Sequence, residues 1–142
     1  MGTIKITGSV IFISFITLSL FFSTTCLGQG DEIPRIGIEG LKKMIEQNEE
    51  VIIIDVQPPS IYEKGHIKGA INIPYKSQLA LEDVWVIPGG IPIITYCACG
   101  PGESDSNDFA KQLIKMGYND VMVLKHPAIQ GWIEAKYPVD KK

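Results

Sequence analysis

The sequence predicts an α/β domain with a mostly parallel sheet, on three observations. Apolar runs without alternation, at Val51-Ile52-Ile53-Ile54, Ile91 to Cys97 (IPIITYC) and Val121 to Leu124 (VMVL), suit strands buried on both faces. Segments with apolar residues at helical spacing lie between and beside them. Glycine and proline signals separate the two kinds, and strands alternating with helices make a parallel sheet covered by helices.

The first thirty residues stand apart from this pattern. MGTIKITGSVIFISFITLSLFFSTTCLGQG carries one charge, Lys5, ahead of a 13-residue run from Val10 to Phe22 that only Ser and Thr interrupt. The run is short for a membrane span and fits the central region of a secretory signal, typically ~7–15 residues. Residues 1–30 are expected to be a signal peptide, cleaved after Gly28 or Gly30, or else an N-terminal anchor. The mature domain, 31–142, is then expected to be exported, periplasmic or extracellular, where disulfides persist. Lipid attachment at Cys26 stays open, although Ser23-Thr24-Thr25 match the leucine-plus-small pattern of such sites poorly. With one of its three cysteines in this segment, the chain is not a disulfide scaffold.

In the mature part, Ile38, Leu41, Met44 and Ile45 predict a first helix, and Val51 to Ile54 a buried strand. Pro58-Pro59 ends that strand and opens a short helix through Tyr62. Gly69 to Pro74 reads as a short strand closed by proline. Residues 76–87 fit neither period, and Pro88-Gly89-Gly90 is a turn. After the strand at Ile91–Cys97, Ser104, Asp105 and Ser106 are all suited to cap a helix whose face is Phe109, Ala110, Leu113 and Ile114. Gly117 is placed to end it. Val121–Leu124 makes the last strand and Ala128–Ala135 a final helix. A formal charge of −3 with scattered acidic groups offers no surface to nucleic acid.

Ligands of parallel sheets bind where strands end and helices begin, and Cys97 sits at such a junction. A thiolate is the nucleophilic form of cysteine, and a helix N-terminus favours it. Gly100 and Gly102 allow the loop Ala98, Cys99, Gly100, Gly102, Glu103, Ser104 to curl its N–H groups toward one point. The residues alone equally allow a buried strand-end cysteine followed by an ordinary turn.

IIIDVQPPSIYEKGHIKGAINIPY, from Val51 to Tyr75, resembles the first signature of the rhodanese homology domain: Asp-Val at a strand end, a Tyr-Glu pair, then Gly-His-Ile-x-Gly-Ala-x-Asn-Ile-Pro. ITYC, a loop, a helix with Ala110 and Leu113, then Gly117-Tyr118, Val121, Leu124, Trp132 and Tyr137-Pro138-Val139 continue the match, which covers about residues 35 to 139. The resemblance implies a rhodanese-like three-layer fold, a parallel five-stranded sheet flanked by helices. It implies Cys97 as the catalytic residue of a sulfurtransferase, with Asp55, Gln57 and His66 in support. Cys97 would take sulfane sulfur from thiosulfate, polysulfide or a persulfide and pass it to a thiol or other thiophilic acceptor. The intermediate is a covalent persulfide and no cofactor is implied.

The sequence departs from that family in its loop. Eight residues separate Cys97 from Ser106, taken as the serine that opens the helix, and Asp105 stands where Arg or Lys is usual. Glu103 adds a second carboxylate, and the pair is expected to repel an anionic donor such as thiosulfate. Gln57 replaces the usual Arg after Asp-Val. Glu103 lies six positions after Cys97, where phosphatases of this fold carry the arginine that grips phosphate. Cys99 resembles the second loop cysteine of a rhodanese-like subgroup, where it would resolve the persulfide, close a disulfide with Cys97, or simply fill space. A ring that small would be readily reduced and so regulatory rather than structural. Cys97, Cys99, His66 and His126 are too few and too irregularly spaced for a zinc site, and Lys125-His126-Pro127 is expected at the pocket rim. The alternatives to catalysis are a binding or sensing module that keeps the fold, or a Cys97/Cys99 thiol-disulfide redox switch.

Overall fold

The computed structural model describes residues 1–2 and 32–142. The expected signal or anchor, and Cys26 within it, lie outside the described residues except for Met1 and Gly2. No helix among the described residues is long and apolar enough to cross a membrane.

In chain order the elements are β1 (Arg35–Ile36), α1 (Ile38–Glu46), β2 (Ile52–Asp55), α2 (Pro59–Tyr62), β3 (His66–Ile67) and β4 (Ile71–Asn72). They continue with α3 (Leu81–Val84), β5 (Ile93–Tyr96), α4 (Ser104–Lys115), β6 (Val121–Leu124), α5 (Ala128–Glu134) and β7 (Val139–Asp140). Five strands form a parallel sheet in the order β1-β6-β5-β2-β4. β5 is central, with Ile93 opposite Ile52 on one side and Val121 on the other. All four of its residues are buried, which is why its sequence lacks alternation. β3 and β7 pair antiparallel as a separate ribbon, His66 opposite Asp140.

Each face of the sheet has its own core. Ile54, Ile93, Val121 and Val123 pack with Phe109, Ala110 and Leu113 of α4 and with Val84 of α3, and Cys97 belongs to this side. Ile53, Ile94 and Leu124 pack on the other face with Leu41 of α1 and with Ile129 and Trp132 of α5. The three layers follow from strands that are apolar in both directions and helices that are apolar on one stripe.

Two expectations change in detail. Ile114 is 41% exposed, so the buried stripe of α4 is Phe109, Ala110 and Leu113. None of Ser104, Asp105 and Ser106 caps that helix. It starts at Ser104 with Glu103 as N-cap in left-handed conformation, φ 46°, and the Glu103 side chain makes no capping bond because it is engaged elsewhere. The strands β1, β3 and β7 have two residues each, too few to show a period. Gly117 does end α4, at φ +100°, while Tyr118 N–H donates to Leu113 O (3.1 Å) and Gly117 N–H to Ile114 O (3.0 Å).

Phe109 is fully buried beneath the strand that leads to Cys97. Phe109→Ala is expected to cost about 3–5 kcal/mol of stability, read as a lowered midpoint in urea unfolding. A loss under about 1 kcal/mol would mean that this side of the sheet is not packed as described.

Candidate active site

Cys97 directly follows β5 at its C-terminal end and is 4% exposed. Its Sγ lies 3.4 Å from Oγ of Ser106, in the first turn of α4. Ser106 is fully buried and its hydroxyl donates to Glu103 O (3.2 Å). Thr95, one pleat before Tyr96, donates its hydroxyl to Ser106 O (3.0 Å) and so ties strand to helix from inside. The first N–H groups of a helix lack internal partners, so the sulfur stands at the positive end of α4, where negative charge is favoured.

The loop between them turns through Gly100 (φ +82°) and Gly102 (φ +91°), angles that glycine adopts without steric cost. Cys97 and Cys99 are joined by a disulfide, their Cα atoms 5.4 Å apart. Cys99 is half-buried and Ala98 exposed. Beside Ala98 opens a pocket of ≈ 240 Å³ whose walls include Gln57, Ile61, Lys64, Ile129 and Ile133. A larger depression of ≈ 360 Å³, around Leu81, Gly90, Met116 and Asp120, lies at the opposite end of the sheet, before β5 and β6, far from the cysteines in the fold.

Glu103 is placed differently from the sequence expectation. Its side chain does not stand free as a second repelling charge. It is buried, with Oε2 bound by Arg35 Nε (3.1 Å) and Oε1 by the His126 N–H (2.7 Å). Arg35 comes from β1, 68 residues away, and His126 from the turn after β6. The carboxylate therefore pins the loop to two other segments. Asp105 is partly exposed and accepts from the Ser104 hydroxyl (3.0 Å). No sequence signal singles out Arg35, because only the folded sheet brings β1 beside β6 and so toward the loop.

Asp55, at the end of β2 and opposite Tyr96, is fully buried. Gln57 N–H donates to its Oδ1 (2.8 Å) and Gln57 Nε2 to its Oδ2 (3.1 Å). Burial pushes the Asp55 carboxyl up, opposed by the Gln57 N–H, the Tyr96 hydroxyl and the Gln57 amide. Burial and the neighbouring Asp55 push the Tyr96 phenol far up, so it stays protonated, and it accepts from Ile67 N–H (3.1 Å). Asn72 Nδ2 donates to Asp55 O (2.9 Å) and Gln57 O (2.8 Å), which holds β4 against the strand end. Asp55 and Gln57 thus shape the floor next to β5. His66 is directed elsewhere: it stacks on Tyr62, ring centroids 3.6 Å apart, with Nδ1 2.8 Å from Tyr62 O. Among the described residues no three His, Cys, Asp or Glu side chains converge as a metal site would require.

Comparison with known proteins agrees with this architecture. The family model for the rhodanese-like domain matches residues 38–135. The chain is 32% identical over 85 residues to the adenylyltransferase and sulfurtransferase UBA4 of Meyerozyma guilliermondii, covering 56% of this chain and 19% of that one. It is 32% identical over 111 residues to the tRNA uridine(34) hydroxylase of Bacillus cytotoxicus, covering 68% of this chain and 33% of that one. The chain therefore spans a third or less of the length of these curated relatives. The solution structure of the rhodanese-like domain of the Anabaena sp. protein Alr3790 superposes with a TM-score of 0.63 at 25% identity, covering 78% of this chain and 81% of that one. A match over most of the described chain, a five-stranded parallel sheet and a cysteine at the end of its central strand have one conclusion: the chain belongs to the rhodanese-like domain family.

Proposed function

We propose that the chain is a sulfurtransferase that carries sulfane sulfur as a persulfide of Cys97 and hands it to a thiol acceptor. The observation that carries this reading is the Cys97 sulfur at the N-terminus of α4, 3.4 Å from the Ser106 hydroxyl. The reduced form does the chemistry. The Cys97 thiolate attacks the outer sulfur of a donor R–S–S⁻, the donor's S–S bond breaks, and R–S⁻ leaves. The helix end stabilises the negative charge of the persulfide that results, and the Ser106 hydroxyl, 3.4 Å from the sulfur, adds to this when its proton turns from Glu103 O toward it. An acceptor thiolate then attacks the outer sulfur and Cys97 returns as thiolate. That one relative is named a sulfurtransferase supports this chemistry for the shared domain.

The donor follows from charge. Arg35 is committed to Glu103, and Asp105 is the carboxylate left near the loop surface, so the loop offers no cation of its own to a divalent anion. The pocket beside Ala98 sets Ile61, Ile129 and Ile133 alongside Gln57, Gln130 and a single cation, Lys64. This combination favours an organic persulfide, whose R–S–S⁻ group carries one charge, over the dianions thiosulfate and inorganic polysulfide.

Cys97→Ala is expected to reduce sulfur transfer from polysulfide to cyanide, followed as thiocyanate, to the uncatalysed rate. Turnover retained in that variant would remove Cys97 from the reaction. Arg35→Ala is expected to cost about 2–3 kcal/mol in urea unfolding, less than the ~3–5 kcal/mol of a fully buried pair, because the Arg35 side chain is 23% exposed. It is also expected to lower kcat/KM for thiosulfate more than for a singly charged organic persulfide, since it bares the Glu103 carboxylate. Equal losses for the two donors would mean that the pair holds the loop without influencing donor charge.

A further inference from the structure

The Cys97–Cys99 disulfide encloses a single residue, Ala98. It joins no two elements of the fold, and the stabilisation a disulfide confers by restraining the unfolded chain is small for so short a loop. Its place is therefore in the chemistry of the loop. Bonded to Cys97, the Cys99 sulfur reaches the atom that would carry transferred sulfur, and reaches it on the protein side, at the inner sulfur of the persulfide.

Building on the persulfide reading above, we propose that Cys99 displaces the accepted sulfur from Cys97 as hydrogen sulfide, so that the protein acts as a persulfide reductase and ends each turnover as the Cys97–Cys99 disulfide. The Cys99 thiolate attacks Cys97 Sγ, the bond from Sγ to the outer sulfur breaks, and hydrosulfide leaves and takes up a proton. Starting from the dithiol, one R–S–SH becomes R–SH and H₂S, and the two cysteines together lose two electrons and two protons. The persulfide is the oxidant, and an external dithiol resets the pair.

The geometry gives the reset a direction. Cys97 is 4% exposed and Cys99 half-buried, so an incoming thiolate meets the Cys99 sulfur first. The group it expels is Cys97, the thiolate that the N-terminus of α4 stabilises, and a stabilised thiolate leaves faster. The second thiol of the reductant then frees Cys99, and Cys97 is ready for the next donor.

The test uses the full chain, reduced, freed of reductant and mixed with one equivalent of glutathione hydropersulfide, with released sulfide and intact mass read together. The wild type is expected to release one hydrogen sulfide per chain and to lose two hydrogens. Cys99→Ser is expected to hold one added sulfur and to release sulfide only when dithiothreitol is added; Cys97→Ser does neither. A wild type that keeps the added sulfur as Cys99→Ser does would overturn the proposal while leaving the sulfurtransferase reading standing. A glutathione adduct on Cys99→Ser in place of a sulfur would overturn it too, by showing that sulfide came from attack on the donor's inner sulfur. No added sulfur on Cys99→Ser and no sulfide from the wild type would overturn both readings.

Discussion

Taking the Glu103 carboxylate out of water is costly unless its oxygens are met by donors, and the loop after Cys97 takes its shape from how they are met. One oxygen binds Arg35 of β1, the other the His126 N–H after β6. With its side chain drawn that way, Glu103 enters α4 in left-handed conformation and leaves the helix without a side-chain cap. Its carbonyl takes the Ser106 hydroxyl, and Ser106 is thereby held beside the Cys97 sulfur. A lengthened acidic loop thus becomes an ordered one, because its most acidic feature is consumed internally.

The same arrangement separates two questions that a cysteine at a strand end raises together. Its placement depends on the sheet: β5 is central and buried on both faces, so its end is rigid, and Thr95 fastens it to the start of α4. Its reactivity depends on the loop, where the helix end favours a charged sulfur and Cys99 stands within bonding distance. Members of one fold can share the first and differ in the second. In this chain the loop supplies a second sulfur, and its glutamate is met by an arginine of β1.

The neighbouring strand end has a quieter part. Asp55, Gln57 and Asn72 satisfy one another almost completely, and buried side-chain polar atoms without a partner are absent among the described residues. A fully satisfied network in a low-dielectric setting resists rearrangement. It holds the end of β2 fixed against the end of β5, which carries Cys97.

Much of the fold was legible in the residues, for physical reasons that act locally. The apolar runs of β2, β5 and β6 need burial on both faces wherever they occur, and the stripes of α1, α4 and α5 need burial on one. Gly117 and Pro59 end or begin helices through their own backbone preferences. Cys97 at a strand end and Cys99 two residues on are likewise read directly from the chain. The strands β1, β3 and β7 are too short to carry a period and exist because a sheet edge or a facing segment pairs with them. Only tertiary structure decided the fate of Glu103, since its partners lie 68 and 23 residues away and no local rule connects them. The sequence presents it as a charge set against anionic donors. The fold turns it inward as the anchor of the loop, because a carboxylate with an arginine and a backbone N–H within reach is stable where an unpartnered one is not.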